Sequence, residues 1–234
     1  MRNILLVTWL LLPIGAWAYH EGPGQHRQDL EAADAVLVQA HAAAEAGEWQ
    51  QAIQLYEDGI KALPADADAV GVSLRQRLQL ELNKARLQAG GLPDARQELE
   101  VLVEQMQGTA GTDPRLLAEA RQALARAQFY TTWLMRLEGL DRKEWEPEIE
   151  AARQNWRLLA EHAASTEEKA RHQADLEAAV RLARLEIEDL QALPLPKECK
   201  GCCSCNGKKP SKRPAKGKPS TGASSGPKFD TGGS

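Results

Sequence analysis

The sequence predicts an all-α protein: antiparallel helix hairpins stacked as a short solenoid of about seven helices, followed by a disordered tail. Three observations carry this expectation. Ala, Leu, Glu, Gln and Arg dominate a chain of 234 residues, a helix-forming composition. No stretch rich in Val, Ile and Thr alternates with period two, as a half-buried strand would. Apolar residues recur at spacings of three and four between glycines and prolines placed where helices end.

The first eighteen residues read as a signal peptide. Arg2 gives a positive start, Ile4 to Leu12 is apolar apart from Thr8, and Ala16-Trp17-Ala18 offers a small-x-small cleavage site. The run falls short of the roughly 20 apolar residues that span a bilayer. No Cys follows the cut, so the exported chain is expected to start at Tyr19, most simply in a periplasm, with no transmembrane segment. Residues 19–28, polar with Gly-Pro-Gly, are expected as a flexible leader; His20 and His26 read as solvated residues of it. A helical domain is expected over 29–193 and a disordered basic tail over 194–234.

The first helix is expected from about Asp29 to Ala46, stopped by Gly47. The second runs from Trp49 to Leu63, ends before Pro64, and carries Ile53, Tyr56 and Ile60 on one face. The third spans about Asp66 to Ala89, with Leu74, Leu78, Leu82 and Ala85 as its buried stripe. The fourth has Pro93 in its first turn, where a missing N–H costs nothing, and Leu99, Leu102 and Val103 on one side. Asp113-Pro114 opens the fifth, which ends at Gly139. Asp141 and Glu144 form a capping box for the sixth, whose apolar side is Ile149, Trp156 and Leu159; Pro147 suggests a start a few residues later. Ser165 and Glu168 cap the seventh, expected to run unbroken to Ala192 because Leu176, Val180, Ala183, Ile187 and Leu190 share one helical face. Trp133, Trp145 and Trp156 read as core.

Gly47, Trp49, Ala52, Tyr56, Gly59 and Pro64 sit at the spacings of the second half of a tetratricopeptide repeat, with Ala40 and Ala43 near the small positions of the preceding helix. The chain resembles that family over about residues 36–64, and more weakly to about 105. Gly90, Leu92, Ala95, Leu99 and Leu102 repeat the pattern 43 residues on, against a family period of about 34. Arg86 stands where the family usually has an aromatic residue. Helices five and six keep only Ala152 and Trp156 at the right spacing. In physical terms Ala52 and Gly59 permit close helix contact, Tyr56 fills the groove and Pro64 ends the hairpin. The resemblance implies a concave surface that binds a protein partner, on which Asp34, Leu37, His41 and Glu45 of the first helix, and Arg77, Leu80, Lys84 and Gln88 of the third, would face the ligand.

All four cysteines, Cys199, Cys202, Cys203 and Cys205, fall within seven residues. Thiolates so dense suit a soft metal, Cu(I) or Zn. In an oxidising envelope they suit disulfide chemistry equally well, although adjacent Cys202 and Cys203 cannot pair without strain. From Lys197 onward there are nine basic and two acidic residues, a net of +7. With −4 for the whole chain and +1 for the first eighteen residues, residues 19–196 carry −12. Such a tail fits an anionic surface or polymer, or the acidic body itself. Phe229 is its one aromatic residue, so base stacking on nucleic acid is not expected. No G-x-S-x-G, H-E-x-x-H or Gly-rich phosphate loop occurs. The expected function is therefore that of an exported binding scaffold without catalytic residues, with metal handling or thiol–disulfide exchange through the tail as the alternatives.

Overall fold

The computed structural model describes residues 25–65 and 68–195. The expected signal peptide, the leader up to residue 24 and the cysteine tail lie outside the described residues. Those that are described form eight helices and no strand: α1 (Gln25–Glu45), α2 (Trp49–Ala62), α3 (Ala69–Ala89), α4 (Leu92–Gly108), α5 (Pro114–Leu137), α6 (Arg142–Glu161), α7 (Thr166–Arg184) and α8 (Ile187–Ala192). The all-α class is as the sequence predicts. The chain divides into two compact units at Gln79/Leu80, within α3.

The helix ends follow their local chemistry. Gly47, Gly90 and Gly139 have φ of 78°, 90° and 80°, left-handed values that glycine adopts without a Cβ penalty. At each, the next N–H turns back to a carbonyl five residues earlier: Glu48 to Ala43 at 2.9 Å, Gly91 to Arg86 at 2.8 Å and Leu140 to Met135 at 3.0 Å. This arrangement satisfies carbonyls that the helix leaves open. Asp113 Oδ1 accepts from the Arg115 N–H at 2.9 Å, as expected of an N-cap. Glu144 reaches back to the Asp141 N–H at 2.9 Å. That cap holds the start of α6 at Arg142, with Pro147 inside the helix rather than before it. Ser165 Oγ accepts from the Glu168 N–H at 3.1 Å, but the Glu168 carboxylate returns to the Ala164 N–H at 3.0 Å, one residue outside the simple box.

In the first unit α1 packs on α2. Its core is mostly small: Ala33, Ala40, Ala43 and Ala52 are buried together with Tyr56, Leu63 and Leu78. The buried face of α2 is Ala52, Tyr56 and Gly59. Ile53 and Ile60, expected on that face, are only half-buried at its margins. The small residues take the centre because they let the backbones approach. Arg75 of α3 donates to the carbonyls of Leu63 and Pro64, at 3.2 and 2.6 Å, and so closes the end of α2. α1 begins at Gln25, four residues before the expected Asp29. At the start of α3 the Asp68 side chain accepts from the Gly71 N–H at 2.9 Å.

Gly59 shows how tight this packing is. A Cβ there would sit 3.3 Å from methyl groups of both Leu78 and Val36. Gly59→Ala should change stability by less than about 1 kcal/mol, because the gain in helix propensity opposes a contact that flexible side chains can relieve. Gly59→Leu should cost at least about 2 kcal/mol in urea unfolding, since its added atoms have no room.

In the second unit α4 packs on α5, α5 on α6, α6 on α7, and α8 returns to α5. Phe129 is central, with ring centres of Tyr130 at 5.4 Å, Trp156 at 5.9 Å and Trp133 at 6.0 Å. Trp133, Trp145 and Trp156 are all buried, as read from the sequence. So are Leu99, Leu102, Val103, Ile149 and Leu159. Arg96 of α4 grips Glu148 of α6 through two nitrogens, at 2.6 and 3.1 Å.

The seventh helix departs from expectation. It ends at Arg184, and Leu185 and Glu186 are extended (ψ 137° and 153°) before α8 begins. The buried residues of α7 are Ala178, Ala179 and Leu182, not the Leu176, Val180 and Ala183 of the predicted stripe, which are half-buried. The cause lies far away in sequence. The Arg136 guanidinium, on α5, donates to the carbonyls of Leu182 and Leu185. These accept the arginine where a longer helix would have used them internally. The same guanidinium lies 4.9 Å from the ring centre of Trp145. After the break, Leu190 of α8 is fully buried.

Candidate functional site

Four of the residues expected to meet a partner lie on α1. Asp34 and Glu45 are exposed, and Leu37 and His41 half-exposed, while Ala33, Ala40 and Ala43 anchor the opposite side. The His41 ring meets Tyr56 edge-on, 5.9 Å between centres, so its orientation is tied to the α1–α2 packing. On the other flank of α1, towards α2, lies an open depression of about 390 Å³ lined by Gln39, Ala42, Ala43, Glu48, Gln51 and Leu55.

Of the residues expected on the third helix, Arg77 is half-buried in the first unit. Lys84 and Gln88, in the second unit, are half-buried as well; Lys84 pairs with Glu81 at 2.9 Å and with Glu119 at 3.5 Å. Leu80 corrects the sequence reading. It is 0% exposed and belongs to the core of the second unit with Leu87 and Leu92, so it offers nothing to a partner. Arg86 holds Glu98 at 2.5 Å.

Ala52, Ala95 and Leu99 are wholly buried and Tyr56 nearly so; Trp49 and Pro64 are half-buried. Gly47 and Gly90 make the turns. Among the described residues no three His, Cys, Asp or Glu side chains are grouped to hold a metal ion. No helix among them is long and apolar enough to cross a membrane. Cys199, Cys202, Cys203 and Cys205 lie outside the described residues.

One polar group was not anticipated from the sequence. Arg126 and Gln128 of α5 are buried, and Gln128 accepts from the Asn155 side chain of α6 at 3.2 Å. On α7, His172 and Asp175 are half-buried. Burial pushes the Asp175 carboxyl up to about 6, against the opposing pull of Arg126 and Arg171. Burial, and then the charge of Arg171, holds His172 below the usual imidazole range. The only sequence signal was the pair's spacing of three on a helix, which ordinary surface residues share.

A raised folded-state pKa makes Asp175 contribute stability below pH about 4, which is lost as pH rises through about 6. Asp175→Asn should therefore stabilise the protein at pH 7.5 by about 1–2 kcal/mol, after allowance for solvent around the carboxyl. At pH 4 the gain should vanish. His172 acts in the opposite sense, favouring the folded state above its own titration range. Thermal melts of both proteins across pH 4–8 check this.

The chain matches no known family profile, no curated protein and no solved structure.

Proposed function

We propose that this protein is an exported, non-catalytic scaffold of the cell envelope, built of tetratricopeptide-like helix pairs, that binds a protein partner on the face of α1 carrying Asp34, Leu37, His41 and Glu45. The observation that supports this most is the contrast across α1. One side is locked by buried alanines against Ala52, Tyr56 and Gly59, and the other presents mixed polar and apolar groups on a firm base. A rigid, preorganised face loses little entropy on binding. The basic tail after Pro196 would add attraction for an anionic surface or polymer.

The test is affinity capture from envelope extract with three baits: the exported chain, the same chain with Asp34→Ala, His41→Ala and Glu45→Ala together, and the tail alone. The reading expects a defined set of proteins on the first bait that is lost from the second. Equal capture by both, or full capture by the tail alone, would overturn it.

A second reading assigns the function to Cys199, Cys202, Cys203 and Cys205. Four thiols within seven residues support soft-metal delivery or thiol exchange. Anaerobic titration with Cu(I) or Zn, against a chain with all four changed to Ser, separates these outcomes. Equal stoichiometry in both chains removes metal handling, and thiol trapping in cells then reports whether the cysteines are oxidised.

A further inference from the structure

We propose that α1 also forms a two-fold contact with α1 of a second copy of this chain, through a side of the helix adjacent to the partner face. On that side Ala35, Val38 and Ala42 are exposed, and Val38 is 64% exposed, the most of any large hydrophobic residue described. Spaced three and four apart, they form one apolar strip. Small residues on either side of Val38 let a second helix come close.

Charge selects the occupant. Arg27 and Glu45 lie eighteen residues apart on α1, about five full turns, and so share one edge of the strip. Their midpoint falls between Ala35 and Leu37, beside Val38. An antiparallel copy related by a two-fold axis at that point sets each Arg27 against the other copy's Glu45, Glu31 against its His41, and the Ala35–Val38 stretches side by side with Asp34 at their edge. Self-complementarity of this kind is what a closed dimer requires, and it is met here by one helix alone. Arg27 already holds Glu31 at 3.0 Å on the exposed surface, so its guanidinium lies along the edge that the second copy would approach. The depression beside Ala42, open in the single chain, lies at the border of this contact.

Sedimentation velocity of the exported chain over a dilution series, in reductant so that the tail thiols cannot cross-link, tests the proposal. A monomer–dimer equilibrium is expected. Val38→Asp should weaken it by more than about tenfold with an unchanged melting temperature, because the side chain is exposed. Arg27→Glu should weaken it, and Arg27→Glu combined with Glu45→Arg should restore it. A monomer at every concentration, or a dimer indifferent to Val38→Asp, overturns the proposal. Asp34 and Glu45 border both faces, so a capture bait carrying Leu37→Ala and His41→Ala, with Arg27, Asp34, Val38 and Glu45 intact, separates loss of partner from loss of the dimer.

Discussion

Arg136→Ala is expected to lower the stability of the protein by about 2–4 kcal/mol and to release α8 before the rest of the chain unfolds. One side chain fills three roles there. It donates to the carbonyls of Leu182 and Leu185, which the break between α7 and α8 leaves without helical partners. It also stacks over Trp145 at 4.9 Å, a cation–π contact that strengthens as water is excluded. Bonds from a charged donor to carbonyls are worth more than neutral ones, and removing the donor leaves two acceptors to find water. Arg136→Lys should recover only part of the loss, because an ammonium cannot span both carbonyls with the fixed fork of a guanidinium. Hydrogen exchange gives the local readout: amides of residues 187–193 should exchange much faster in Arg136→Ala, while those of α5 and α6 stay protected. Uniform acceleration across the second unit would mean that Arg136 supports the unit as a whole rather than the break.

Trp156→Ala should cost about 3–5 kcal/mol, the range for removing a large aromatic side chain from a packed interior. Trp156 is 0% exposed, and its ring centre lies 5.9 Å from that of Phe129. Its removal opens a cavity beside Phe129 where α5 and α6 meet. Trp156→Phe is the informative companion. The indole Nε1 is buried and finds no acceptor in the protein, so the native residue carries a desolvation cost that phenylalanine lacks. Phenylalanine should therefore cost less than half as much as alanine, despite the lost ring. Denaturant midpoints of the three proteins decide this. A cost for phenylalanine equal to that for alanine would show that the indole N–H is satisfied by a buried water.

The helix ends were largely legible in the sequence. Asp113, Glu144 with Asp141, and Ser165 with Glu168 act on backbone groups two to four residues away, so the chemistry that fixes each end lies within the window the sequence displays. Gly47 and Gly139 were equally plain. What escaped depends on residues far apart. Nothing between Leu176 and Leu190 announces a break, and their spacing argues for one continuous helix. The break comes from an arginine more than forty residues earlier in the chain. Leu80 was misread for a related reason. The sequence showed one stripe on α3, whereas Leu80 and Leu87 form another that enters the core of the second unit. A helix packed on more than one side loses its clean period. Of the expected α1 residues, Asp34 and Glu45 are exposed and Leu37 and His41 half-exposed; the Arg126, His172 and Asp175 group was invisible because its members only face one another after α5 and α7 are in place.

The short final helix has a mechanical consequence. Six residues are too few to hold a helix by themselves in water, so α8 stays formed through Leu190 beneath it and the Arg136 clasp before it. The cysteine-bearing tail begins a few residues later. Any load taken up by that tail, from a bound ion, a cross-link or a charged surface, reaches the body first through α8. The segment is therefore expected to give way first under tension, while Trp156 and Phe129 keep α5 and α6 together.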